Sequence, residues 1–116
     1  MANVVSYTKL WDPNQIDNVA VETIYTAAPS SSIGVVKNIS AVITNTTSTG
    51  ATVEVWVIPS GGSASDSNKL INGETVPANG RLSFTVPDMA NGDFIQAQAG
   101  TATALTIHCT SGIVIN

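Results

Sequence analysis

The side chains able to do chemistry are few, and their spacing does not assemble them. His108 and Cys109 are the sole histidine and the sole cysteine of the 116-residue chain. They are adjacent, and neighbours on a strand point to opposite faces, so they cannot act together as base and nucleophile. Cys109 alternates with Leu105 and Ile107, which marks it as a small apolar core residue. His108 then faces outward and is a candidate interface residue. One histidine and one cysteine do not meet the ligand count of a zinc site. Asp88 and Asp93 flank a turn. Carboxylates and turn carbonyls can hold calcium there, but Asp capping its own backbone explains the same pattern, and the turn reading is preferred. Asp66, in a Ser/Gly/Asn loop, reads the same way. Ser30 to Ser32 and Ser60 to Ser67 have no local histidine or acid to activate a hydroxyl. Gly61-Gly62 is followed by no Lys-Ser/Thr and is not a phosphate loop. The expectation is a protein that is not an enzyme and holds no metal or cofactor.

The aromatics offer a different chemistry. Trp11, Trp56, Tyr7 and Tyr25 are of the types that stack against sugar rings, although interface packing is the commoner use of such residues. Two acceptor patterns for glycosylation, Asn38-Ile39-Ser40 and Asn45-Thr46-Thr47, read as chance in a Ser/Thr-rich chain with no visible signal peptide.

The elements that must carry these residues are strands. Val, Ile and Thr number 13, 11 and 14, against 4 Leu. That balance favours strand over helix. No window repeats apolar residues at helical spacing. Charged residues make up 10% of the chain and the formal net charge is −4; soluble domains average about 25% charged. The surface is therefore Thr, Ser, Asn, Gly and Ala, which can pack on copies of itself or on a partner with little charge repulsion. Four cations do not make the basic stripe that nucleic acid or an anionic membrane requires. The expectation is no nucleic-acid partner and no membrane.

The stretch from Val35 to Pro59 reads as two long strands joined by the polar turn Asn45 to Gly50. Ile39, Ala41 and Ile43 form an apolar row in the first arm, and Val53, Val55 and Val57 in the second. Glu54 must avoid burial, so its face is outward and Trp56 goes with it. Val19 to Thr26 is a strand with Val19, Val21, Thr23 and Tyr25 on one face. Ser60 to Asn68 is a small-residue loop. Lys69 to Ile71 is a short strand ended by Asn72-Gly73. Leu82, Phe84 and Val86 alternate inward, as do Ile95, Ala97 and Ala99. Ser111-Gly112 predicts a bulge before Ile113. Asn-Gly pairs at 72, 79 and 91 mark turns. Seven or eight strands punctuated this way predict an all-β, antiparallel β-sandwich, jelly-roll-like, over residues 19–116. Residues 1–18, split off by Asp12-Pro13-Asn14, form either the first strand or an arm anchored on a neighbour through Tyr7, Leu10 and Trp11. Trp56 and His108 complete the predicted interface set.

Several runs resemble small β-sandwich virion structural proteins of tailed bacteriophages. They are Ile24 to Pro29, Gly34 to Ile39, Asn45 to Ser48, Val53 to Ser63, Asn91 to Asp93, Gln96 to Ala99 and Thr106 to Gly112. The resemblance covers about residues 24–114. It implies a capsid decoration (cement) protein or a tail-associated component. It further implies a major capsid protein and copies of the chain itself, as a homotrimer, for partners, and a virion location after assembly in the host cytoplasm. The first expectation is a decoration protein that stabilises the head by bridging capsid subunits. The second is a tail or fibre domain that binds a host surface glycan.

Overall fold

The computed structural model describes residues 5–116, so the part of the expected first strand at Val4 lies outside the described residues. The strands are β1 (Val5–Tyr7), β2 (Asn14–Gln15), β3 (Glu22–Thr26), β4 (Val35–Asn45), β5 (Ala51–Ile58), β6 (Lys69–Val76), β7 (Arg81–Val86), β8 (Met89–Ala90), β9 (Phe94–Ala99) and β10 (Leu105–Ile115). One 3-10 turn, Asp66–Asn68, lies between β5 and β6.

The strands form two antiparallel sheets. One has the order β1-β10-β4-β7, with β2 added to β10 and β8 to β4; the other has the order β3-β9-β5-β6. The pairings nest: β1 with β10, β3 with β9, β4 with β7 and β5 with β6. A long hairpin rolled over on itself gives this nesting, which is the jelly roll. The inner faces meet in one core that includes Ile39, Ala41 and Ile43 of β4, Val53 and Val55 of β5, Ile95 and Ala97 of β9, and Leu105, Ile107 and Cys109 of β10.

The stretch Val35 to Pro59 is not a hairpin. Its two arms, β4 and β5, lie in opposite sheets. The polar link between them is a crossover, held by Asn45, the one buried polar residue of the described chain. The Asn45 amide nitrogen donates to the carbonyls of Thr49 (2.9 Å) and of Val76 on β6 (3.1 Å). Its oxygen accepts from the Thr47 backbone N–H (2.9 Å) and hydroxyl (2.7 Å). A buried amide is stable only with its partners supplied, and these four bonds supply them.

Three further expectations change. Asn72-Gly73 does not end a strand: β6 runs through it, and Gly73, at φ 64°, is the extra residue of a bulge opposite Val53 and Glu54. In β3 a register shift lies between Thr23 and Tyr25. Ile24 is therefore buried and Tyr25 packs on the core, while Val19 and Val21, ahead of the strand, are exposed. Trp56 does lie on the outer face of its sheet, but it is not free for a partner: it is 6% exposed. The start of the Ser60 to Asn68 loop folds back over that face. A Cβ at Gly62 would sit 3.2 Å from Ile58 Cγ2, and Ile58 is buried too. Lys69 closes the cover, with its ammonium 5.4 Å from the Trp56 ring centre, 3.6 Å from Glu54 and 3.7 Å from Asp66.

Candidate functional site

The outer face of the six-stranded sheet carries the features of an interaction surface, and a break in strand alternation creates them. In the first half of β10, Leu105, Ile107 and Cys109 face the core. Strict alternation would send Ile113 and Ile115 inward as well. Register shifts on either side of Ser111 prevent this. Opposite, Asn38 of β4 takes φ 53°, a left-handed conformation that Asn tolerates better than most residues. Val36 and Met89 are fully buried and pair with one another, and Val114 pairs with Val36 and packs on the core. The alternate residues therefore face out. They make a row of Val5, Ile115, Val35 and Ala90, and a row of Tyr7, Ile113 and Lys37.

Above the break the outer face is polar. Its rows are Thr106, Thr44 and Arg81, then His108, Val42 and Ser83, then Ser111, Ser40 and Thr85. His108 is half-buried there and shares a 3.3 Å hydrogen bond with Thr44. Along the break runs a groove of about 410 Å³, walled by Tyr7, Lys9, Asn38 and Ser111. A second hollow of about 370 Å³ continues it past Asn38 and Ser111 to Thr85 and Asp88.

The predicted interface residues do not come together. Tyr7 is 80% exposed at one end of the groove. Leu10 is half-buried; its backbone N–H donates to Cys109 Sγ at 3.3 Å, and its side chain lies where a Cβ on Gly112 would go. Trp11 belongs to the core, its ring 5.7 Å from that of Tyr25. Trp11 and Leu10 are therefore anchors of the chain's own sandwich, because β1 and β2 on either side of them both pair with β10. Trp56 is buried on the outer face of the other sheet, with Lys69 over its ring. Burial raises the Tyr25 phenol above its ordinary value, and the nearby Cys109 adds to the shift. The hydrogen bond and charge of Asp12, 2.9 Å away, raise Lys9, and Lys9 in turn lowers Asp12.

The acids serve the backbone and the cations. Asp93 accepts from the Ser60 N–H (3.0 Å) and the Ala90 N–H (2.9 Å), the turn chemistry expected of it. Asp88 sits 4.0 Å from Lys37. Among the described residues no three His, Cys, Asp or Glu side chains cluster as metal ligands would. Sequence reasoning missed Asn38. The available signal was an Asn inside a β-branched run, where Asn is disfavoured, with Ser-Gly at the facing end of the chain.

No protein-family model and no curated protein matches this sequence. Among solved structures the fold is similar to a chain of the Bacillus endospore appendages, described as a family of disulfide-linked pili. The TM-score is 0.55 at 16% identity, over 99% of this chain and 88% of that one. It is also similar to a chain of infectious bursal disease virus, Gx strain, with a TM-score of 0.50 at 7% identity over 97% of this chain. This chain spans 32% of that viral chain. Likeness at such identities shows a shared fold.

Proposed function

We propose that this chain is a structural subunit of a virion, a head decoration protein that bridges copies of a major capsid protein. The observation that carries the reading is the apolar end of the six-stranded sheet. Val5 is 47% exposed and Ile33, two residues ahead of β4, is 89% exposed. Val5 stands beside the half-buried Ile115, which pairs in turn with the half-buried Val35. An apolar edge on a chain with so little charge is suited to lasting contact with another protein. Bridging adds buried area that must be lost before capsid subunits separate. A homotrimer fits the role, since closed cyclic assembly matches threefold positions of an icosahedral lattice.

The two fold neighbours described above come from assemblies, one of pili and one of a virus. Covalent linkage like that of the pili has no support in this chain. Its single cysteine is buried, and one thiol can join at most two chains. The test is quantitative mass spectrometry of purified virions, with light scattering of the isolated protein. Copy number near that of the capsid protein, and loss of attachment in Val5→Glu/Ile33→Glu, are expected. A handful of copies per particle would overturn the head role and favour a tail component. A protein monomeric both free and on the virion would remove the trimer.

A further inference from the structure

We infer that the trough across the outer face of the six-stranded sheet binds a neutral oligosaccharide. The trough exists because β4 and β10 each carry extra residues at the same level. Asn38 and Ser111 line both of its hollows, so the two adjoin. It crosses from β1 over β10 and β4 to β7. Three strand spacings make that about 14 Å, the reach of a short glycan.

The chemistry of the walls selects the ligand. Sugars offer hydroxyls that both donate and accept, and apolar ring faces. Hydroxyl and amide side chains match the first property, and Asn38, Ser40, Thr85, Thr110 and Ser111 supply them. A free aromatic face matches the second. Of the four aromatics that the sequence offered for stacking, Trp11 and Trp56 are buried and Tyr25 packs on the core. Tyr7 alone keeps an open ring, and it stands at the mouth of the trough. The two charges sit at opposite ends and are already matched, Lys9 by Asp12 at 2.9 Å and Asp88 by Lys37 at 4.0 Å. The middle is neutral, which disfavours nucleic acid and strongly anionic ligands. An extended peptide would gain most from apolar side-chain pockets, whereas here the hydroxyl and amide side chains outnumber the aliphatic ones, Ile39, Val86 and Ile113.

The test uses the full 15N-labelled chain, titrated with maltotetraose, cellotetraose and chitotetraose and probed on an array of bacterial and animal surface glycans. Amide shifts confined to Tyr7, Asn38 to Ser40, Thr85 and Thr110 to Ile113 are expected with at least one probe. Tyr7→Ala weakens binding about tenfold and Tyr7→Phe leaves it near the original, because the ring face does the stacking. Asn38→Gly keeps the left-handed backbone, removes the amide and weakens binding as well. The inference is overturned if no glycan shifts these amides, if the shifts map elsewhere, or if an unstructured peptide occupies the trough while no sugar does.

Discussion

The two halves of the outer face on the six-stranded sheet share the same strands and have opposite characters. Above the Asn38–Ser111 break, β4 and β10 turn Thr44, Thr106, Ser40 and His108 outward and bury Ile43 and Ile107. Below it they turn Val35, Ile113 and Ile115 outward and bury Val36. Below the break both strands are apolar on both faces, at Val35-Val36 and at Ile113-Val114-Ile115, and the irregularity selects which of these side chains face out. The irregularity exchanges their faces, because side chains alternate with a period of two. One sheet thus carries a polar outer surface above the break and an apolar one below it. The opposite sheet achieves burial differently, by laying its own Ser/Gly loop against Ile58 and Lys69 over Trp56.

The comparison breaks most visibly in β10 itself. Ile107 and Ile113 are six residues apart and would share a face on a regular strand. Ile107 is fully buried and Ile113 half-buried. Ile107→Ala is expected to cost about 2–5 kcal/mol and Ile113→Ala about 1 kcal/mol or less in urea denaturation. Equal losses would mean that the faces do not exchange.

A smaller effect isolates the hinge of the exchange. Asn38 stands at φ 53°. Asn38→Val should lose about 1–2 kcal/mol relative to Asn38→Gly, since a β-branched side chain fits the left-handed region poorly and glycine fits it well. Thermal melts of the two variants decide this. Similar midpoints would show that the left-handed geometry is not needed to hold the break.

The smallest effect lies on the inner side of the same break, where Tyr25 packs near Cys109. Burial raises its phenol above the ordinary 10.0. A folded pKa above the unfolded one gives stability that is complete below pH 10 and fades as pH rises through the folded value, because the unfolded chain releases its proton first. Stability should therefore fall with rising pH above about 10, and Tyr25→Phe should flatten that alkaline limb. An unchanged limb in denaturation at pH 9 and 11 would place the alkaline sensitivity elsewhere.

Much of the fold was legible because alternation is local. The inward rows Ile39, Ala41 and Ile43, Ile95, Ala97 and Ala99, and Leu105, Ile107 and Cys109 follow from residue order alone, and each is buried. The bulge at Ser111-Gly112 was legible from its residue types. The facing irregularity at Asn38, which turns that bulge into an exchange of faces, was not, since Asn is read as a turn former outside strands. Of the residues expected at an interface, Tyr7 and His108 lie on the outer face of the larger sheet, and the tryptophans do not.

What the amino-acid order determined by itself is the all-β class and the inward rows of β4, β9 and the first half of β10. Only the tertiary structure decided which strands pair. A six-residue polar link between two matched strands reads as a hairpin, yet β4 and β5 cross between sheets and Asn45 bonds across to Val76. Backbone hydrogen bonds join any two strands, so the choice of partner rests on packing between distant segments. The same holds for Trp11 and Trp56. Their type calls for burial, but whether a partner or the chain itself provides it depends on β1, β2 and Lys69, which reach them only in the folded molecule.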